Sequence, residues 1–168
     1  MPVQDDIAAI VVQESTLTLP GFTPDTAWQL GNILRDLALA RKVGLVIDVR
    51  RFGAPHQQLF YCALAGTTPD NQRWVARKIN VVARFHKSSY HVGQLLEQSG
   101  LTFNARYNLP EEDYAPHGGC FPLNVAGTGI VGAVTVSGLP QREDHNLVVE
   151  ALCLLTGRDN AALRLPPE

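Results

Sequence analysis

The sequence predicts an α/β domain of three layers, α/β/α, built on a mainly antiparallel sheet of about five strands. Three observations carry this. Two helices share one start signal, a threonine followed by proline and aspartate, at Thr23-Pro24-Asp25 and Thr68-Pro69-Asp70. The strand-like segments come in pairs, 45–50 with 59–65 and 121–125 with 130–136, which is hairpin order and not a strand–helix–strand repeat. The helical segments carry enough apolar surface to cover both faces of one sheet. With 168 residues, 45% of them hydrophobic, the chain is expected to form one domain over 1–168. A domain of that size buries roughly 70% of its extended-chain surface, with no need of metals or disulfides.

Residues 5–13 read as a short helix, and Ser15–Leu19 as a brief strand or an extended connection that Pro20 and Gly21 end. In the helix expected over 24–42, Thr23 caps, Pro24 fits the first turn and Asp25 faces the positive helix end. Leu30, Ile33, Leu34 and Leu37 make its apolar stripe, Trp28 stands near its start and Gly44 is its exit. In the strand 45–50, Leu45, Ile47 and Val49 face one way while Val46, Asp48 and Arg50 face the other. The segment 59–65 is apolar on both sides and reads as a central strand.

The second capped helix, from Thr68, places Trp74, Val75, Ile79, Val81, Val82 and Phe85 on an arc of roughly 80 to 240° when Arg73 is taken as zero. Arg73, Arg77, Arg84 and Lys87 form a basic ridge beside that arc. His91–Gln98 supplies another helical segment ending at Gly100. Residues 101–116 have no clear period; 102–107 alternates loosely, and 109–114 reads as loop or a helical turn. Pro122 lacks a ladder donor, so 121–125 is expected to be a strand that tolerates an edge. It forms a hairpin with 130–136. The last helix, about 142–156, is apolar nearly all round, so an N-terminal element or another subunit must lie across it.

Several function classes are excluded at this level. With 14 Lys plus Arg against 16 Asp plus Glu, the net charge is -2. No global field draws the chain to nucleic acid or to a membrane. No apolar run reaches the length of a membrane span, and the N-terminus lacks the features of a signal peptide. Cys62, Cys120 and Cys153 are widely spaced and odd in number, which reads as free thiols in the cytoplasm. No metal site is expected: among His56, His86, His91, His117 and His145 no pair has a ligating helical spacing, since His86 and His91 would stand about 140° apart. The run Gly127-x-Gly129-x-x-Gly132 begins a strand where a dinucleotide loop would follow one, so its glycines are read as turn and packing positions.

Two features point to chemistry. Ser137-Gly138, just before the last helix, can present a hydroxyl and amides to an anion. Lys78 projects at about 140°, in the middle of its helix's apolar arc and away from the basic ridge. An ammonium there must snorkel, pair with a carboxylate such as Asp48, meet another subunit or reach a ligand pocket.

The segments Gly118-Gly119-Cys120-Phe121-Pro122-Leu123, Gly132–Pro140 and Glu143-Asp144-His145 followed by Leu147–Leu152 resemble the C-terminal signature of the UPF0303 family, within the haem-degrading-like (GlcG/HbpS-like) superfamily. Thr67–Asn71 with Trp74, Arg77-Lys78-Asn80, Arg84-Phe85 and Ser88-Ser89 resembles the central segment of the narrower group. The resemblance covers nearly the whole chain. It implies a profilin-like α/β/α fold and symmetrical homo-oligomers. Haem or cobalamin binding in some wider relatives makes either cofactor conceivable by distant resemblance only, and no cofactor is predicted.

The leading expectation is a cytoplasmic, homo-oligomeric protein that binds a small ligand, with anions among the candidates. The candidate binding residues are Arg77, Lys78, His117, Gly118, Gly119, Ser137, Gly138 and His145. Two alternatives stand beside it: an enzyme moving protons with Lys78, His117 or His145, and a protein-interaction or structural module.

Overall fold

A computed structural model describes residues 2–167. The first helix, α1 (Val3–Thr16), is followed by a two-residue strand β1 (Thr18–Leu19) and by α2 (Pro24–Arg41). In α2 the Thr23 hydroxyl accepts from the Thr26 amide and Lys42 closes the helix in the left-handed conformation, so the start read from the sequence holds and the end falls one residue earlier. The hairpin β2 (Val46–Arg51) and β3 (Gln57–Ala63) precedes α3 (Pro69–Phe85) and α4 (Ser89–Ser99). A short α5 (Phe103–Tyr107) leads to the second hairpin, β4 (Cys120–Val125) and β5 (Gly129–Ser137), and the chain ends in α6 (Gln141–Thr156) and α7 (Asn160–Leu163).

The five strands lie in the order β1-β4-β5-β2-β3. Every pairing is antiparallel except β1 with β4, which is parallel over two residues. The two hairpins lie side by side, β2 pairing with β5, and the sheet is mixed only at one margin. Pro122 costs the ladder nothing, because β1 reaches only Asn124 and Val125 on that side of β4.

One face of the sheet presents Leu45, Ile47, Val49, Phe121, Leu123, Val134 and Val136 to α2 and α6, forming the main core. The opposite face is covered by α3, with Val46, Cys120 and Ala133 against Val75, Ile79 and Val82. The alternation read in β2 is therefore the real one. Asp48 shares the α3 face and is fully buried.

One expectation is corrected. The segment around Leu59–Ala65 is not central: β3 is the margin of the sheet, with Tyr61 exposed. Its apolar residues have separate uses, Phe60 filling the space above Gly31 of α2 and Cys62 and Leu64 lying half-buried at the core's border. The apolar girdle of α6 is covered by the first of its two expected alternatives: α2, from the N-terminal part of the chain, lies across it with α4, α7 and the sheet, and Leu154 alone of its large apolar side chains is exposed.

The N-terminal helix joins this arrangement through polar groups. Ile10 is its one fully buried apolar side chain, while Asp6 pairs with Arg142, Gln13 bonds to His145 and to the Leu163 carbonyl, and Glu14 meets His91 and the Ser88 amide. No helix among the described residues is long and apolar enough to cross a membrane.

Candidate functional site

A cleft of about 310 Å³ opens where the first turns of α3 and α6 approach the end of β5. Asp70, Asn71, Trp74 and Lys78 line it from α3, Ser137, Gly138 and Leu139 from the β5–α6 turn, Gln141 and Asp144 from α6, and His117 from the loop before β4.

Lys78 is at its floor. Its ammonium donates to the Val136 carbonyl and to Asp144 Oδ2, both at 3.1 Å, and is almost wholly buried. Asp144 accepts from the Leu139 amide at 3.0 Å through its other oxygen. Burial pushes the Asp144 carboxyl up to about 6, outweighing the lowering by Lys78 and by the backbone amides of Leu139 and Gly138. The expected Asp48 partner is excluded, because that carboxylate is held by Arg50 at 2.9 Å and by Gln58 at 2.6 Å. Desolvation raises Asp48 as well, against those hydrogen bonds.

Gly118 and Gly119 make this approach possible. A Cβ on Gly118 would lie 1.9 Å from the Gln141 carbonyl oxygen, and one on Gly119 would lie 2.7 Å from Lys78 Nζ. Gly119 also has φ +124, a conformation open to few other residues, while its carbonyl accepts from Val136 N. The two glycines therefore let the chain pass between α6 and the lysine.

At the rim, His117 meets Trp74 edge to face at 5.3 Å between ring centroids. Partial desolvation, then the positive charges of Lys78 and Arg77, hold its pKa below the ordinary value. Neither ring nitrogen has a hydrogen-bond partner among the described residues. Arg77 lies over the Trp74 ring at 4.8 Å and donates to the Glu111 carbonyl, so it shapes the rim without lining the cleft. Ser137 Oγ is 3.5 Å from the Asn71 amide nitrogen, whose own oxygen accepts from Thr68 N at the start of α3.

Of the residues singled out from sequence, Lys78, His117, Ser137 and Gly138 line this one cleft, Gly118 and Gly119 lie against its floor, and Arg77 stands behind its rim. His145 is elsewhere. It is buried on the far side of α6 with Nε2 at 2.8 Å from Gln13 Oε1, and burial, then Arg142, lowers its pKa to about 3. Asn71, Trp74, Gln141 and Asp144 were not among those candidates. Asp144 had a signal, as a polar residue in the first turn of the helix that follows Ser137-Gly138, and so did Asn71, as one in the first turn of the helix that carries Lys78.

The cleft can offer an anion one further ammonium proton, a serine hydroxyl, an imidazole and the start of two long helices. Among the described residues there is no cluster of His, Cys, Asp or Glu that could hold a metal ion.

Residues 22–153 match the family model for haem-degrading protein HbpS-like. The chain is 54% identical to a UPF0303 protein of Acidobacterium capsulatum, over 99% of both chains. Its fold is similar to the crystal structure of Ybr137w protein, with a TM-score of 0.82 at 25% identity over 93% of this chain and 88% of that one. It is also similar to the crystal structure of HbpS, with a TM-score of 0.63 at 16% identity over 84% of this chain and 94% of that one.

Proposed function

The chain belongs to the UPF0303 family, within the HbpS-like superfamily, and from that premise we propose that it is a cytoplasmic protein whose Lys78 cleft binds a small anionic ligand. The single observation behind this is the state of Lys78. An ammonium has three donors; Val136 and Asp144 take two, and no described group takes the third in a residue that lines the cleft. A snorkelling lysine would extend its head to water, and this one is 3% exposed. The three free cysteines favour a reducing compartment. Titration with acetate and with inorganic phosphate, followed through the His117 ring resonances, tests the reading. One anion should bind, and K78M should weaken it about tenfold or more, the scale of one charged hydrogen bond. Silence of His117 toward both anions sinks it.

The family description raises haem, and the cleft does not fit it. A macrocycle needs an apolar slot and an axial ligand. This cleft has Asp70, Asp144, Lys78 and Gln141 among its walls, and its one histidine stands at the rim against Trp74. His91 and His145 are buried and already bonded to Glu14 and Gln13.

The working form in this reading is a homo-oligomer. Family membership supports it, as do Trp28 and Leu39, two exposed apolar side chains about 20° apart on the outer face of α2. Sedimentation at micromolar concentration should find a species heavier than the 18.3 kDa chain; a monomer throughout would remove this part of the proposal.

A further inference from the structure

We infer that the Lys78 amine is a nucleophile toward small carbonyl compounds that carry a carboxylate, forming an imine at the floor of the cleft with Asp144 moving the protons. This rests on the anion-binding reading of the same cleft and adds the class of ligand and a covalent step.

An ammonium is not nucleophilic until its proton has somewhere to go. In water a lysine and an aspartic acid differ by about 6 pKa units, so the proton stays on nitrogen. Here the carboxylate is at 3.1 Å and shares the lysine's burial, and burial carries the acid to about 6. That contact puts a proton acceptor within hydrogen-bond reach of the ammonium, and one more basic than a solvent-exposed aspartate. The Val136 carbonyl keeps a hydrogen bond to the amine in either state and fixes the nitrogen in place.

The step balances without another reagent. Asp144 takes a proton from the ammonium, and the freed nitrogen pair attacks the carbonyl carbon while the C=O π electrons move to oxygen. Asp144 returns that proton to the oxygen, giving a carbinolamine. It then takes the second amine proton and delivers it to the hydroxyl, which leaves as water as the nitrogen pair closes the C=N bond. The nitrogen holds the third proton, and the iminium is again paired with a carboxylate. Overall, ammonium and carbonyl give iminium and water.

The rest of the cleft suits the substrate. Ser137 Oγ and the Asn71 amide line the same cleft and supply donors for the carbinolamine oxygen, and His117 and the first turn of α6 can receive the carboxylate. Asp70 and Asp144 in the lining disfavour a dianion such as phosphate, whereas a 2-oxo acid brings a single charge. With Lys78 at 3% and Asp144 at 2% exposure, water is held away from the C=N bond.

The chain has only two other lysines, Lys42 and Lys87, and neither lines this cleft. They are built-in controls. The folded full chain is incubated with pyruvate and sodium cyanoborohydride at neutral pH and the reduced adducts are mapped by peptide mass spectrometry. Lys78 should carry about tenfold more adduct than either control, reflecting the held geometry. Adduct on Lys42 and Lys87 with Lys78 unmodified would overturn the inference. In folded D144N, labelling of Lys78 should fall about a hundredfold, the lower range for a positioned acid–base group, while the controls are unchanged; undiminished labelling of Lys78 would remove Asp144 from the step. The same mixture without reductant separates the two readings. Movement of the His117 resonances on adding pyruvate, with no trapped adduct on Lys78, overturns the imine and leaves anion binding standing. No movement and no adduct overturns both for this ligand class.

Discussion

Lys78 shows how far one residue can be read from a helical wheel. Its angle within the apolar arc of α3 excludes open solvent, and the ammonium is buried. The wheel does not say which carboxylate stands opposite. Asp48 is on the correct face of the sheet, but Arg50, two residues along the same strand and so on the same face, takes it first. Because the true pair is buried, K78M should cost about 3 kcal/mol in urea unfolding, well beyond the few tenths typical of a surface change. A loss below about 0.5 kcal/mol would mean that the pair contributes nothing. The same variant removes one of the charges that depress His117. Proton NMR should show the His117 pKa rising toward its ordinary value in K78M, and an unchanged midpoint would mean that the two groups do not sense each other.

At the scale of elements, legibility followed the strength of local signals. The starts of α2 and α3 were plain because cap, proline and acid agree. The short α5 and α7 were not, since helices of five and four residues have too few turns to show a period. The place of β3 was misread because strand composition reports packing and not order: Phe60 is buried by Gly31 of α2, whereas Tyr61 faces outward. A Cβ on Gly31 would come within 2.3 Å of the Phe60 ring. G31A should therefore destabilise by about 1–2 kcal/mol, overpacking outweighing the gain in helix propensity of roughly 1 kcal/mol. A stabilised variant would show that the ring moves aside freely. The N-terminal helix makes a different case. Asp6 and Arg142 form a buried two-oxygen pair, at 2.6 and 2.9 Å, on an interface with little apolar area. D6A takes the carboxylate from a buried guanidinium that keeps only the Pro166 carbonyl and the Tyr90 hydroxyl, so hydrogen exchange over 3–16 should quicken while β2 and β5 stay protected. Uniform exchange of the whole chain would instead make α1 part of one cooperative unit.

The cleft is a product of the whole molecule, and this is why its membership could be only partly anticipated. Segments near 70, 78, 117 and 137–144 meet there because the second hairpin brings the end of β5 beneath α3, a juxtaposition that no local pattern encodes. The first turn of α6 also joins opposite environments, Asp144 facing the cleft and His145 facing α1, and the two titrate with opposite consequences for stability. His145 falls from 6.5 to about 3 on folding, so its contribution is complete above 6.5 and is lost as pH falls through about 3, at roughly 1.4 kcal/mol per pH unit. Asp144 rises from 3.8 to about 6, so its contribution is complete below 3.8 and is lost as pH rises through about 6, with a slope of the same size. Between 3.8 and 6 the slopes cancel; below 3.8 only the histidine acts. Asp48, also raised, adds to the carboxyl side. Urea midpoints of the wild type should thus change little through His145 and Asp144 between pH 6 and 4, then fall steeply. In D144N, where the amide oxygen still accepts from Lys78, the compensating slope is gone. The difference between wild type and D144N should grow by about 1.4 kcal/mol for each pH unit from 6 down to 4. All other carboxylates are common to both proteins and drop out of that difference. Parallel profiles over this window would show that Asp144 keeps an ordinary pKa in the folded chain, and the proton transfer assigned to it would lose its basis.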